Sequence, residues 1–374
     1  MNKPIPALAL CAALLLTGCS SMLEREYVSL SPHPQFPAVV DDSNAIRVET
    51  YQQLSNALWA MVKAHQETGV IRLRNYTPTA GSTVEDDLTR AREEVYHDDP
   101  LGNYAIDAID TDLERIVMYY EATVTIAYRR TKEQVDAVTD VTGSGAIRTQ
   151  LRSALSGFRP EVALKLNYFS EDADYIRALI RETYYDTPAA ALGMPQVEVA
   201  LYPDSGFQRI VEVTFTYPED PAVLQAQSRA LTNQADSLLL PLQENNLRGD
   251  DLARALLTAL TDRIAAHEPQ EAAPLSTAWC LMEGTGDSQG LALAYRLLCD
   301  AAGLESQVVE GSLDGEPHYW VILSAQAGYR HVDPSLGGDG FLLTDQDMTD
   351  LGYEWTSADY PACGESEENL QNTP

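Results

Sequence analysis

Positive charge is what this sequence has least of. Against 56 aspartates and glutamates stand 25 lysines and arginines, a formal net charge of −31 over 374 residues. Gripping a phosphate backbone takes clustered Lys and Arg, so the balance argues against nucleic acid as a partner. It implies solubility and self-repulsion more than any particular ligand. Histidine is scarce as well, with 6 residues in all. The stretch "HDD" at residues 97–99 has metal-ligand chemistry, but it lies in a polar turn with no second cluster and reads as solvated loop. Neither a metal nor a cofactor is expected. His33, between prolines, reads as a solvated loop residue, and His65 and His267 as surface residues near predicted helix ends.

A long apolar run is missing too. The run "ALALCAALLL" at residues 7–16 is too short to cross a bilayer, but it suits the apolar part of a secretory signal, with Lys3 before it. Leu16-Thr17-Gly18-Cys19 resembles a bacterial lipobox, in which the cysteine is lipidated and becomes the new N-terminus. A plain secretory signal cut nearby is the other reading. Residues 1–18 are therefore expected to be removed. Residues 19–46, with Pro32, Pro34 and Pro37, are expected to form a tether. The protein would be exported and held at the outer face of the cell membrane by lipid on Cys19, making the membrane its first partner. Of 5 cysteines, Cys280, Cys299 and Cys363 then remain. An odd number allows one disulfide at most, with Cys280–Cys363 as a candidate pair. Burial as small apolar side chains is the alternative, favoured for Cys299.

Hydrophobic residues make up 45% and charged residues 22%, so most of the chain should fold, with length for two domains. Residues 47–218 read as a mixed α/β domain of unknown role. "YQQLSNALWAMVKAHQ" (51–66) is amphipathic through Leu54, Leu58, Met61 and Val62, and "VIRLRNY" (70–76) alternates like a strand. "VEDDLTRAREEVY" (84–96) reads as an exposed helix and "IVMYYEATVTIAY" (116–128) as one or two strands. A weak repeat is visible, in which a strand ends at Tyr128, Tyr168 or Tyr217 and a capped helix follows. Its copies are spaced roughly 40 to 50 residues apart. Residues 219–267 form two bridging helices by period, with Pro241 expected to kink or end the first.

Residues 268–363 read as a second domain, followed by an acidic tail at 364–374. Its order is a short helix, the turn "EGTGD", the helix "SQGLALAYRLLCDAAG" and three short strands joined by hairpin-length turns. The long helix should bury a stripe of Leu291, Tyr295, Leu298 and Ala302, with Ala294 and Leu297 at its edges, and Gly303 should end it. Three separated motifs occur in sequence: Ser288-Gln289-Gly290 opening the helix, His318-Tyr319-Trp320, and Val332-Asp333-Pro334. In this order they resemble the transglutaminase-like domain, a branch of the papain-like cysteine fold. The match spans about residues 276–336 and leaves 47–218 unexplained. It implies an α+β chain whose C-terminal domain packs a helix on a small antiparallel sheet.

The resemblance also implies a site. In that family a cysteine at the helix start attacks an amide, a histidine pairs with the thiolate and an aspartate orients the histidine. His318 falls at the base position, Asp333 at the orienting position and Ser288 where the cysteine would stand. Asp287, just before it, is a second departure. A thiol needs a shift of only a unit or two to ionise near neutral pH, whereas a helix dipole worth ~0.3–2 kcal/mol cannot ionise a hydroxyl. Serine would have to react by general-base catalysis through His318. Cys299 lies about 16 Å along the helix from its start and cannot stand in for it. His331 sits two residues before Asp333, either at the rim of the site or as a satisfied strand residue. The leading expectation is a lipoprotein with an inactive, ligand-binding domain that takes a peptide or an amide-bearing envelope ligand. A serine-dependent acyl hydrolase or transferase using Ser288, His318 and Asp333 is the second reading. A structural envelope protein is the third.

Overall fold

The computed structural model describes residues 39–40, 45–266 and 273–364. The expected signal segment, Cys19, most of the tether, His33, His267 and the tail beyond Gly364 lie outside them. The described chain is α+β, built on three sheets.

The first sheet gathers β1 (Val39–Val40), β2 (Ile46–Val48), β3 (Thr68–Leu73), β4 (Ile106–Ile116) and β5 (Tyr119–Tyr128) in the order β1-β2-β3-β5-β4. Strands β2 and β3 are parallel, joined through α1 (Tyr51–Lys63), and the remaining pairings are antiparallel. Helix α1 forms as its period predicts. Thr50 accepts the Gln53 N–H at its start, and Leu54, Leu58, Met61 and Val62 are buried. Helices α2 (Val84–Glu93) and α3 (Pro100–Ala105) connect β3 to β4, and α4 (Lys132–Asp136) follows β5. The expected helix over 84–96 stops at Glu93 and widens into a π turn over Glu94–Asp98. Pro100 lacks the N–H needed to continue it, and Asp99 instead caps α3 by accepting the Gly102 N–H.

The second sheet repeats this plan. It holds β6 (Thr139–Val141), β7 (Glu161–Leu166), β8 (Gln196–Tyr202) and β9 (Arg209–Thr216) in the order β6-β7-β9-β8, with β6 parallel to β7 through α5 (Gly143–Ser156). Helix α6 (Ala173–Tyr185) joins β7 to β8. The register matches as well. Thr68 opposes Thr125 and Leu73 opposes Tyr120 in the first copy, as Glu161 opposes Thr214 and Leu166 opposes Arg209 in the second.

One corner is reproduced bond for bond. The Tyr128 hydroxyl donates to the carbonyls of Met61 and Gln66, and that of Tyr217 donates to those of Ala154 and Arg159. His65 and Phe158, each at φ 51°, lay their rings against these tyrosines. The repeat therefore has a period of about 90 residues. This corrects the shorter spacing: Tyr128 and Tyr217 are equivalent, whereas Tyr168 occupies the left-handed position that Asn75 holds in the first copy. His65 is likewise no plain surface residue, since its Nε2 meets the Arg130 carbonyl at 2.8 Å.

The remaining α-helices and strands are α7 (Pro221–Glu244), α8 (Gly249–Ala265), α9 (Cys280–Glu283), α10 (Ser288–Ala302), β10 (Ser306–Leu313), β11 (Glu316–Ala325), β12 (Gly328–Val332), β13 (Phe341–Leu343), α11 (Asp345–Asp350) and β14 (Tyr353–Glu354). Their strands form an antiparallel sheet in the order β13-β12-β11-β10-β14. Pro241 lies inside α7, which ends a turn later at Glu244.

The hydrophobic cores divide the chain differently from its sheets. The first copy gathers a core around Leu58, Ile71, Tyr104 and Val124, which Ala163 and Ile210 of the second copy also enter. A second core runs without a break from Leu151 and Leu164 of the second copy, through Leu231 and Leu256 of α7 and α8, to Tyr295, Leu298 and Val321. Residues 47–218 thus contribute to both cores.

Candidate active site

Ser288 is the first residue of α10, and the local sequence places it there. Asp287 caps the helix by accepting the Gly290 N–H at 2.9 Å, and it also accepts the Ser276 hydroxyl. Gly290 is required at its position, because a Cβ there would come within 2.1 Å of the Leu275 carbonyl oxygen. Gly303, at φ 69°, ends the helix as expected. The buried face of α10 is wider than the predicted stripe. Ala292 and Leu293 are buried as well as Tyr295, Leu298 and the edge residues Ala294 and Leu297, while Leu291 and Ala302 are half-buried. The cause is that α7, α8 and the third sheet close on the helix from several sides.

His318 stands on β11 opposite Gly311 of β10. A Cβ at Gly311 would meet Trp320 Cη2 at 2.6 Å, so the glycine makes room for that ring. Side chains alternate along β11. Tyr319, Val321 and Leu323 pack in the core beneath α10, while Trp320 and Ile322 pack on the opposite face with Met348, Tyr353 and Cys363. The His318 ring lies 5.5 Å from that of Tyr353 and 6.3 Å from that of Trp320.

His318 and Asp333 meet, with Nε2 of the histidine 2.7 Å from Oδ2 of the aspartate. Asp333 is fully buried after β12 and accepts two further hydrogen bonds, from the Tyr353 hydroxyl at 2.5 Å and the Ser335 N–H at 2.8 Å. Burial alone would push its carboxyl up. The bonds from His318, Tyr353 and Ser335 outweigh burial and hold it below the usual carboxylate range. Tyr353 moves the other way, raised by burial and by its bond to Asp333. An ionised carboxylate only accepts, so Nε2 of His318 carries a proton and Nδ1 is the nitrogen left to act as a base.

Ser288 reaches the same strand but takes a different partner. Its Oγ accepts the backbone N–H of Tyr319 at 3.3 Å. Among the described residues no hydrogen bond joins Ser288 Oγ to the His318 ring. The three residues singled out in the sequence are therefore gathered at one place, with His318 and Asp333 bonded and Ser288 fastened to the backbone beside them. Asp287 fills the first turn of α10, so the positive end of that helix already faces a carboxylate.

His331 is the satisfied strand residue of the two readings. It is fully buried, accepts the Trp320 Nε1–H on Nδ1 at 2.9 Å, and sets Nε2 2.9 Å from Asp345 Oδ1. Burial pulls its pKa down despite Asp345. His331, Asp345 and Cys363 offer ligand atoms within 4.8 Å of one another. They do not fit a cation. With Nδ1 occupied by the indole N–H, the ring proton of neutral His331 sits on Nε2 and leaves no lone pair there. Burial also raises the Cys363 thiol to about 12. Asp345 instead accepts the Cys363 N–H at 2.9 Å, so the cluster clasps the C-terminal segment against the sheet.

Cys280, Cys299 and Cys363 are all free and buried, so the Cys280–Cys363 disulfide is not formed. Burial raises the Cys280 and Cys299 thiols to about 12 each, aided at Cys280 by the charge of Asp287. None of the three is a substitute nucleophile. His97 is exposed and pairs with Glu93 at 3.1 Å, away from the site.

Two groups near the site carried no signal in the sequence. Tyr353, far along the chain, completes the shell of Asp333. Tyr185, at the end of α6, accepts from Gln289 Nε2 at 3.2 Å and packs 5.9 Å from the Tyr319 ring. Tyr185 also lines a cavity of 560 Å³ between the second copy and the third sheet, with Arg148, Arg181, Glu310, Asp359 and Tyr360 among its walls.

No protein-family model matches the chain, and neither does any curated protein. Among solved structures it is similar to a TGase, at 14% identity and a TM-score of 0.26, over 82% of this chain and 83% of the other. It is also similar to a candidate protease from Parabacteroides distasonis, at 10% identity and a TM-score of 0.18, over 71% of this chain and 39% of that one. Likeness this loose says nothing about the site, whose chemistry rests on the distances above.

Proposed function

We propose that the protein is an exported lipoprotein, held by lipid on Cys19, whose C-terminal unit keeps a transglutaminase-type cleft for binding rather than for acyl transfer. One observation carries the reading. The hydroxyl that stands where a thiolate would react takes its hydrogen bond from the Tyr319 N–H, and among the described residues no hydrogen bond links it to the His318 ring, whose Nε2 is held by Asp333. A hydroxyl needs a base to take its proton during attack. Asp287 at the same helix start opposes any negative charge that would develop on Ser288 Oγ or on an oxyanion.

The ligand class follows from the cavity beside Tyr185. Its walls carry Arg148, paired with Glu182 at 2.6 Å, and Arg181, paired with Glu310 at 3.6 Å, together with Asp186 and Asp359. Walls of both signs suit a ligand that carries both amine and carboxylate groups, such as a short peptide. Serine-dependent acyl transfer is the second reading, and the intact His318–Asp333 pair favours it.

A screen of amide and ester substrates against wild type, Ser288→Ala and Ser288→Cys separates the two. Wild type and Ser288→Ala are expected to share the same background, with turnover appearing only in Ser288→Cys. Turnover by wild type that Ser288→Ala abolishes would overturn the binding reading and establish the serine one. Silence in all three variants would instead leave the structural reading of an envelope protein.

A further inference from the structure

Val117 and Met118 form the turn between β4 and β5, and they are 92% and 86% exposed, more than any other large apolar side chain among the described residues. Two adjacent aliphatic side chains at the end of a long hairpin serve no core. What surrounds them is also specific. Tyr119 and Tyr120 begin β5 directly behind the tip. Arg74 lies 5.0 Å from the Tyr119 ring and Arg115 lies 5.9 Å from the Tyr120 ring. The acidic residues sit lower on the stem, at Asp110, Asp112 and Glu114, and Glu121 is paired with Arg72 at 2.8 Å. In a chain of net charge −31, an apolar tip collared by tyrosines and arginines is out of keeping with the rest of the surface. Aliphatic end, aromatic collar and cationic flank are the arrangement that a membrane interface stabilises, from acyl boundary to headgroup.

The register supplies an independent reason. Strand β3 runs toward the tip, since Thr68 opposes Thr125 and Leu73 opposes Tyr120. Strand β2 runs parallel to it and β1 antiparallel. The chain therefore enters β1 at Val39 on the tip end of the sheet. Val39 pairs with Arg47, Arg47 with Arg72, and Arg72 with Glu121, which sets the tip only about 10 Å beyond Val39. The segment between Cys19 and Val39 reaches roughly 60 Å if extended, several times that separation. The chain thus enters the sheet on the side of the apolar turn, within reach of a lipid on Cys19.

We infer that the β4–β5 hairpin is a second membrane contact, which dips Val117 and Met118 into the lipid surface that Cys19 anchors to and so fixes how the body stands on it. This rests on the reading of Cys19 as the lipidated residue. The ring of Arg74 and Arg115 would lie at the anionic headgroups and the acidic stem would point away.

The test uses the full lipidated chain in vesicles of phosphatidylethanolamine and phosphatidylglycerol. A nitrobenzoxadiazole fluorophore is attached at Met118→Cys, or at Glu67→Cys beside the opposite end of β3 as a control; the three native thiols of the folded part are buried. Lipid-borne nitroxide is expected to quench the probe at 118 several-fold more than the probe at 67, and Val117→Asp in the labelled Met118→Cys chain is expected to remove the difference. Flotation with equal quenching at both sites would overturn the hairpin contact and leave the anchor standing. A blue-shifted probe at 118 that lipid nitroxide cannot quench would also overturn it, in favour of a protein partner. Failure of the chain to float at all would overturn anchor and contact together.

Discussion

The two copies of the repeated unit share a topology, a register and one tyrosine corner, yet they are used differently. The first copy closes a core that takes in only Ala163 and Ile210 of the second copy, and it leaves its hairpin turn in the open. The second copy has no core of its own: Leu151, Leu164 and Ile180 continue into Leu256, Tyr295 and Leu298. Its helix α6 ends in Tyr185, beside Gln289 and Tyr319 of the candidate site. A backbone plan therefore does not decide what becomes of a unit. The residues on its outer faces do, here by sealing one copy and building the other into the C-terminal unit.

The strongest way to break this comparison is through the shared core. Leu298 is fully buried between the helices and the third sheet, and Leu298→Ala should cost about 2–5 kcal/mol. Calorimetry on wild type should resolve one transition for the first copy and one for everything from Val141 to Phe341. Leu298→Ala should lower only the second, and Leu164→Ala in the second copy should lower that same transition. If Leu164→Ala moved a transition that Leu298→Ala leaves in place, the core would not be shared.

Sequence and structure agree best where local chemistry decides. The order turn, helix and three strands after residue 283 is legible, because Asp287, Gly303 and the short turns act on their neighbours alone. The edge strand β4 is not, since "IDAIDTDLERI" is exposed at most positions and rich in acid, unlike a half-buried strand. The true period of the repeat was hidden because equivalent positions carry different residues, His65 against Phe158 and Asn75 against Tyr168. At the site, the spacing of Ser288, His318 and Asp333 was enough to bring them to one place. That Ser288 bonds to the Tyr319 N–H rather than to the imidazole, and that Tyr353 completes the bonding of Asp333, is not visible in a motif. The continuous core was equally hidden, because an amphipathic period names the buried face of an element and not what covers it.

A somewhat smaller effect is expected where the two copies meet. Arg130, after β5, reaches Glu212 of β9 at 2.6 Å, with Tyr202 donating to the same carboxylate at 3.1 Å. The guanidinium also lies over the Tyr104 and Tyr202 rings. The Glu212 side chain is only 10% exposed, so Arg130→Ala strands a buried charge and should cost about 3 kcal/mol. Adding Glu212→Gln removes that charge and should recover most of the loss in denaturant titration. No recovery would mean that Arg130 acts by packing on the tyrosines, and the copies would then be joined by ring contacts rather than by the ion pair.

The smallest effect sharpens the comparison most, because it makes the same change twice. Tyr128→Phe and Tyr217→Phe each remove one hydroxyl that closes the same corner on two carbonyls, Met61 and Gln66 in one copy and Ala154 and Arg159 in the other. Each ring stays in place, so the loss is that of the hydrogen bonding alone, about 1 kcal/mol. The bonds run from 3.1 to 3.5 Å, which puts both variants at the weak end of that range. Equal chemistry should then give equal losses at different addresses. Tyr128→Phe should shift the transition of the first copy, and Tyr217→Phe the one that the second copy shares with α10 and the third sheet. Because that second transition spans far more residues, the same free energy should move its melting temperature by less. Two equal shifts in temperature would mean that the second copy unfolds by itself, and that its continuity with the candidate site is packing without cooperativity.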